Sequence, residues 1–418
     1  MTARPLPLSQ RIAALDVIRG VAVLGILAAN IAAFGLPGPA YFSPAALGAP
    51  SRADLVAWAL TFVLVEGKMR GLFTLLFGAS MLLVIDRAEA AGDDPAKVHY
   101  ARMAWLFVFG LVHLYLFWWG DILTHYALVG CIAYAFRHLR VRWLVLLAGA
   151  AFTLQTLEFA AIALDLFRRH AAVFAAHASP NAVADWQALA SPFGRPTEAE
   201  VAREVAAARG SFGTLLAWRW STNTDPFTFL PAGGMETLGY MLLGMAGLRS
   251  GFLSGAWTRR TYARIAVALL AMTVPLSIAL AAFDRAWGFD PRAVFLAALP
   301  LATPLHVPMV LGYAALVMAL ARAGGWWTRR FAAAGRMAFT NYLGTTLVCT
   351  TIFYGYGLGL FDRLGRAQLY AAVVATWVVI LAGSRPWLAR YRYGPLEWLW
   401  RSLARLAWQP MRGANPMR

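Results

Sequence analysis

Ten stretches of this chain are long and apolar enough to cross a bilayer, and that limits its fold more than any other feature of its 418 residues. A helix crossing the hydrocarbon needs about 20 mostly apolar residues. With no water to satisfy backbone amides inside lipid, such runs have to be helical. They fall at 13–34, 69–87, 101–119, 121–137, 142–166, 233–250, 261–283, 293–321, 331–358 and 367–384. A shorter stretch at 54–66 reads as a re-entrant or interfacial helix leading into the second span. The expected fold is an all-α integral membrane protein with about ten transmembrane helices. The first run is too long for a signal-peptide core and reads as a retained helix.

Composition excludes the soluble alternative. The chain is 60% hydrophobic and only 14% charged, against roughly a quarter charged in a soluble domain. Its formal charge of +17 would suggest nucleic acid as a partner if it were clustered on a soluble surface. Here the arginines sit between apolar runs, where they set orientation, so nucleic acid is not expected. Arg4 and Arg11 precede the first run, Arg137, Arg140 and Arg142 follow the fourth, Arg249, Arg259 and Arg260 the sixth, and Arg329 and Arg330 the eighth, while the tail reaches Arg418. Every second connection is basic, which places both termini in the cytoplasm of a multi-pass protein of the bacterial inner membrane.

The one long hydrophilic segment, 167–231, then lies outside as either a cap or a solvated connection, with a helix expected over Thr197–Arg209. It divides an N-terminal helical half, 1–166, from a C-terminal half, 232–418. Cys131 and Cys349 both lie in apolar runs, which suits neither a disulfide framework nor a zinc site. No metal is expected.

Ionisable groups inside hydrocarbon cost at least about 2.5–3.5 kcal/mol each on insertion scales and so mark either function or a structural pair. Asp16 and Arg19 share a helix face, and Asn30 lies eleven residues beyond Arg19, about three turns on. Such a stripe suits a ligand entering phosphate-first from the cytoplasm; it also suits a structural ion pair with a distant amide. Glu66, Lys68 and Arg70 open the second span as a site or as an interfacial charge network. Asp121 and His125 are four apart and could form a carboxylate-oriented imidazole, with His113 about two turns inside. Glu236, His306, Arg336, Asn341 and Tyr342 are weaker intrusions. Pro304 and Pro308 are expected to break the eighth span, and 394–401 reads as an amphipathic surface helix.

At these motifs the sequence resembles the bacterial YeiB family, whose C-terminal half is a domain of unknown function numbered 418. The matching pieces are Leu15-Asp16-Val17-Ile18-Arg19-Gly20 with Asn30, Lys68-Met69-Arg70-Gly71-Leu72-Phe73, and Trp119-Gly120-Asp121-Ile122-Leu123. They continue through Gly335-Arg336-Met337-Ala338, Thr340-Asn341-Tyr342 and Gly394-Pro395-Leu396-Glu397-Trp398. The family looks like a branch of the transmembrane acyltransferases. The acyltransferase-3 group carries a His where this chain has Asn30, and the glucosaminide acetyltransferases carry a catalytic His where it has Tyr41.

The resemblance implies transfer of an acyl group from cytoplasmic acyl-CoA, acetyl-CoA in the first place, to an extracytoplasmic or lipid-linked acceptor. Arg19, with Asp16, would meet the CoA phosphate and Asn30 would polarise the thioester. His125 with Asp121, His113 or Glu66 would take the acceptor's proton. Lys68, Arg70, Glu236, Arg336, Asn341 and Tyr342 would contact substrates. Expected partners are membrane lipids, a small-molecule or lipid-linked acceptor and, as one option, a second copy in a homodimer. The competing expectation is a transporter or permease for a small polar solute, with these charges forming a midplane site.

Overall fold

The computed structural model describes residues 8–174, 179–222, 225–227, 229–322 and 324–412; Arg4 and Arg418 of the basic termini lie outside them. All regular structure among the described residues is helical. The chain opens with α1 (Leu8–Gly35), α2 (Arg52–Leu64), α3 (Lys68–Ala91), α4 (Pro95–Val112), α5 (Leu123–Ala133) and α6 (Val141–Val173). The hydrophilic segment forms α7 (Pro180–Ala190), α8 (Glu198–Arg209) and α9 (Phe212–Ser221). The remainder forms α10 (Phe229–Arg249), α11 (Arg259–Ala286), α12 (Pro291–Leu296), α13 (Thr303–Leu320), α14 (Trp326–Arg336), α15 (Ala338–Phe353), α16 (Arg366–Arg390) and α17 (Pro395–Ala404).

Among the described residues seven helical stretches are long and apolar enough to cross a membrane: Ala14–Gly35, Arg52–Ala91, Pro95–Phe117, Val141–Val173, Arg259–Ala286, Thr303–Leu320 and Arg366–Arg390. Their outward faces expose Leu146, Leu154 and Leu157 on α6, Val267 and Ile278 on α11, and Val378 and Val379 on α16. Apolar surface of that extent needs lipid rather than water against it. The expected spans at 121–137, 233–250 and 331–358 are helical but shorter or more polar. Met337 breaks the last of them, leaving α14 as a separate helix and α15 with only 16 residues. The break expected at Pro304 and Pro308 lies upstream instead, at a π-helical turn, Ala297–Leu301, containing Pro300. Pro304 stands in the first turn of α13, where its missing N–H leaves no helical bond unmade.

Glycines let two helix pairs cross closely, as small residues do in membrane bundles. A Cβ on Gly335 would lie 1.8 Å from the Asp16 carbonyl oxygen, and one on Gly20 2.1 Å from that of Phe331. This is the α1–α14 crossing. The α3–α10 crossing is as tight: a Cβ on Gly244 would lie 1.9 Å from the Leu75 oxygen, and one on Gly78 2.1 Å from that of Met241. Helices from before and after the hydrophilic segment therefore interleave.

That segment is tied to one end of the bundle. Thr197 caps α8 through a reciprocal capping box with Glu200. The Gly38 N–H donates to the Glu204 carboxylate at 3.0 Å, and burial holds that carboxyl above its ordinary value. Arg209 donates to the carbonyls of Phe361 and Asp362, and Arg219 to that of Leu116 at 2.7 Å. At the opposite end, α17 lies across the bundle. Trp400 Nε1 donates to the Arg102 carbonyl, while Glu397 accepts from Phe339 N (2.7 Å), Thr340 N (3.1 Å) and Thr340 Oγ1 (2.5 Å). A carboxylate from α17 thus caps the otherwise unsatisfied N-terminus of α15.

Candidate functional site

Two cavities approach one another inside the bundle. The inner one, about 280 Å³, is lined by Arg19, Arg87, Arg102, Arg336 and Arg401, with Asp16 and Glu397 as its acidic groups. Arg19 Nη1 donates to Asp16 Oδ1 at 2.7 Å, as the i,i+3 spacing requires, and Nη2 donates to Ser80 Oγ at 2.7 Å. Arg102 stacks on Trp400, 4.1 Å from the ring centroid. Burial holds the Arg401 guanidinium below its ordinary value. Five guanidinium groups against two carboxylates make this end attractive to polyanions, and their planar forks match phosphate.

The outer cavity, about 360 Å³, is bordered by Tyr41 and Phe42, next to the Gly38 that Glu204 of α8 holds. Asn30, Tyr41, Glu66, Arg70, Asp121, His125, Glu236 and His306 all contribute to its lining. Tyr41 donates to Glu66 Oε1 at 2.6 Å. Burial and the neighbouring Glu66 push the Tyr41 phenol well above its usual range, so it acts there as a donor and not as a base. Arg70 Nη2 lies 2.5 Å from Glu236 Oε2. His125 Nε2 meets Thr237 Oγ1 at 2.9 Å, and the ring also bonds the Gly233 backbone. Ile122 and Tyr126 border both cavities, and the Tyr126 hydroxyl is held by Thr74 Oγ1 at 2.6 Å.

The sequence grouping changes in several places. Asp121 does not orient His125. It precedes α5 rather than lying on it, so four-residue spacing does not put the two on one face. Asp121 Oδ2 instead accepts from Thr124 N and Oγ1, both at 2.8 Å, at the start of that helix. Its Oδ1 lies 2.7 Å from His113 Nδ1. His113 Nε2 meets Thr346 Oγ1 at 2.9 Å, so neither ring nitrogen is free to act as a base. Lys68 faces away from the cavity: its side chain is 1% exposed and Nζ donates to the Phe62 carbonyl at 2.5 Å, at the C-terminal end of α2. Asn341 bridges the Ala334 carbonyl and Ser384 Oγ and reaches neither cavity. Arg336 and Tyr342 line the inner cavity. Among the described residues no group of three or more His, Cys, Asp or Glu is placed to hold a metal ion.

Sequence reasoning missed the Tyr41–Glu66 pair and gave Trp118 and Thr345 no role. Both of the latter line a niche of about 10 Å³ that adjoins both cavities and also includes Asn30 and Tyr342. Nothing in local spacing brings position 118 near position 345.

Apolar spans and a helical bundle enclosing two adjoining cavities define a multi-pass helical membrane protein. The model of the family described as "Protein of unknown function (DUF418)" matches residues 248–407. The chain is 33% identical to the uncharacterized protein YeiB of Escherichia coli (strain K12), covering 97% of this chain and 98% of that protein. It is 30% identical to the uncharacterized protein YxaH of Bacillus subtilis (strain 168), covering 98% of each. The chain belongs to the YeiB family. No solved structure matches it.

Proposed function

We propose that the protein is a ten-span acyltransferase of the bacterial inner membrane, with both termini cytoplasmic. It moves an acyl group from cytoplasmic acyl-CoA, acetyl-CoA first, to an extracytoplasmic or lipid-linked acceptor. The observation that carries this reading is a pair of cavities, one ringed by five arginines and the other holding Glu66, Asp121 and Glu236, that meet at Ile122 and Tyr126. The arginine-lined cavity suits the phosphates of CoA. The outer one offers the Glu66 carboxylate, with His125 lining the same cavity, as acceptor for the proton of an incoming hydroxyl or amine. Asn30, which lines the niche and the outer cavity, would polarise the thioester carbonyl.

Isothermal titration of the purified protein with acetyl-CoA tests the reading. Binding should weaken at least about tenfold in Arg19→Ala, the loss of one charge-assisted hydrogen bond. A folded protein that binds no acyl-CoA at all refutes it. The same two cavities also fit alternating access by a transporter. Uptake of a polar solute into proteoliposomes, without covalent product, would select that second reading.

A further inference from the structure

Buried donors are normally satisfied, and those that are not mark a place where something binds. Trp118 Nε1 and Thr345 Oγ1 are both buried and without partners. Both residues line the niche of about 10 Å³, roughly the room one oxygen atom or one water needs. Neighbouring side chains hold them in place. Trp118 follows the π-helical turn His113–Phe117 in extended conformation and stacks on Phe34 at 4.1 Å between ring centroids. Thr345 sits in mid-α15, one residue before the Thr346 that holds His113. Tyr342 joins the niche to the inner cavity, and Trp118 and Asn30 join it to the outer one.

We infer that the indole N–H of Trp118 and the hydroxyl of Thr345 form an oxyanion-binding pair for the acyl thioester carbonyl. This rests on the acyl-transfer reading above and adds two catalytic residues to it. In the step they serve, the acceptor's hydroxyl or amine attacks the carbonyl carbon and the carbonyl π electrons move onto the oxygen in the niche. The tetrahedral adduct then collapses, a C–O or C–N bond having formed and the C–S bond breaking. CoA leaves as the thiolate and recovers the proton that the acceptor gave up. Two preorganised donors, dry and rigid, strengthen as that oxygen gains charge.

The test uses acetyl-CoA labelled with ¹³C at the carbonyl, bound to the full-length protein in detergent, with the C=O stretch read by isotope-edited infrared spectroscopy. In the wild type the stretch should lie below that of free acetyl-CoA. In Trp118→Phe/Thr345→Val it should return to the free value while Kd stays within about threefold. Turnover of acetyl-CoA should fall about 100-fold when one donor is removed. Thr345→Val alone, which keeps the side-chain volume, should recover part of the shift and serves if the double variant does not fold. Bound acetyl-CoA with the same stretch in wild type and variants overturns the niche assignment and leaves the acyl-CoA reading intact. Absence of any acetyl-CoA binding by the wild type overturns both.

Discussion

The Arg70–Glu236 pair sets up two substitutions that remove the same ion pair at unequal cost. At 2.5 Å and an effective dielectric of about 20, the gross attraction is about 6–7 kcal/mol, most of it offset by the desolvation of the two charges. The environments of the partners differ. The Arg70 side chain is 34% exposed and that of Glu236 only 4%, with Glu236 Oε1 lacking any partner. Arg70→Gln strands a carboxylate in a dry site and should cost about 3–5 kcal/mol. Glu236→Gln leaves a guanidinium facing the cavity, where water can reach it, and should cost about 1 kcal/mol, as for a neutral hydrogen bond or an exposed pair. Arg70→Gln/Glu236→Gln should melt close to Glu236→Gln, well above Arg70→Gln. The assay is thermal unfolding in one detergent at a fixed scan rate, read as an ordering of midpoints because membrane proteins often unfold irreversibly. Equal losses in the two single variants, or a double variant as weak as the sum of its parts, would refute the argument.

Three further outcomes follow from the packing. Gly244→Ala drives a methyl to 1.9 Å from the Leu75 carbonyl oxygen; it should lower stability by at least the ~1–3 kcal/mol of an overpacked core, read by the same melts. Lys68→Met removes the donor to the Phe62 carbonyl and should cost about 1–2 kcal/mol without changing acetyl-CoA titration, since the residue is outside the cavities. Burial raises the Glu397 carboxyl above its ordinary value, so its folded pKa exceeds its unfolded one. Its contribution is therefore fully present below the unfolded value and is lost as pH rises through the folded one. Glu397→Gln should flatten that part of the pH–stability curve, measured by melts over a pH series.

Helix locations were legible because the bilayer imposes a length and a hydropathy that a single sequence displays directly. Pairings within one helix were also legible: Asp16–Arg19 meets as its spacing requires. Pairings across a helix break were not. The carboxylate of Asp121 turns to His113 because the chain is non-helical at 118–122, and i,i+4 reasoning fails where the helix does. Tyr41 and Glu66 belong to different elements, and only tertiary packing brings them to 2.6 Å. The Met337 break hid inside an apolar run that hydropathy reads as continuous. The glycines at the crossings were visible as motif letters in Arg19-Gly20 and Gly335-Arg336, but their purpose, two backbones in contact, emerges only with both helices in place.

Ile122 and Tyr126, which border both cavities, have an electrical consequence. With one cavity open to each side, as in the proposed orientation, water and ions carry each bulk potential inward, and the membrane voltage drops mainly across this short partition. A charge that crosses it moves through most of about 2.3 kcal/mol per 100 mV. The same two side chains are then the insulation that keeps the energised membrane from short-circuiting through the protein.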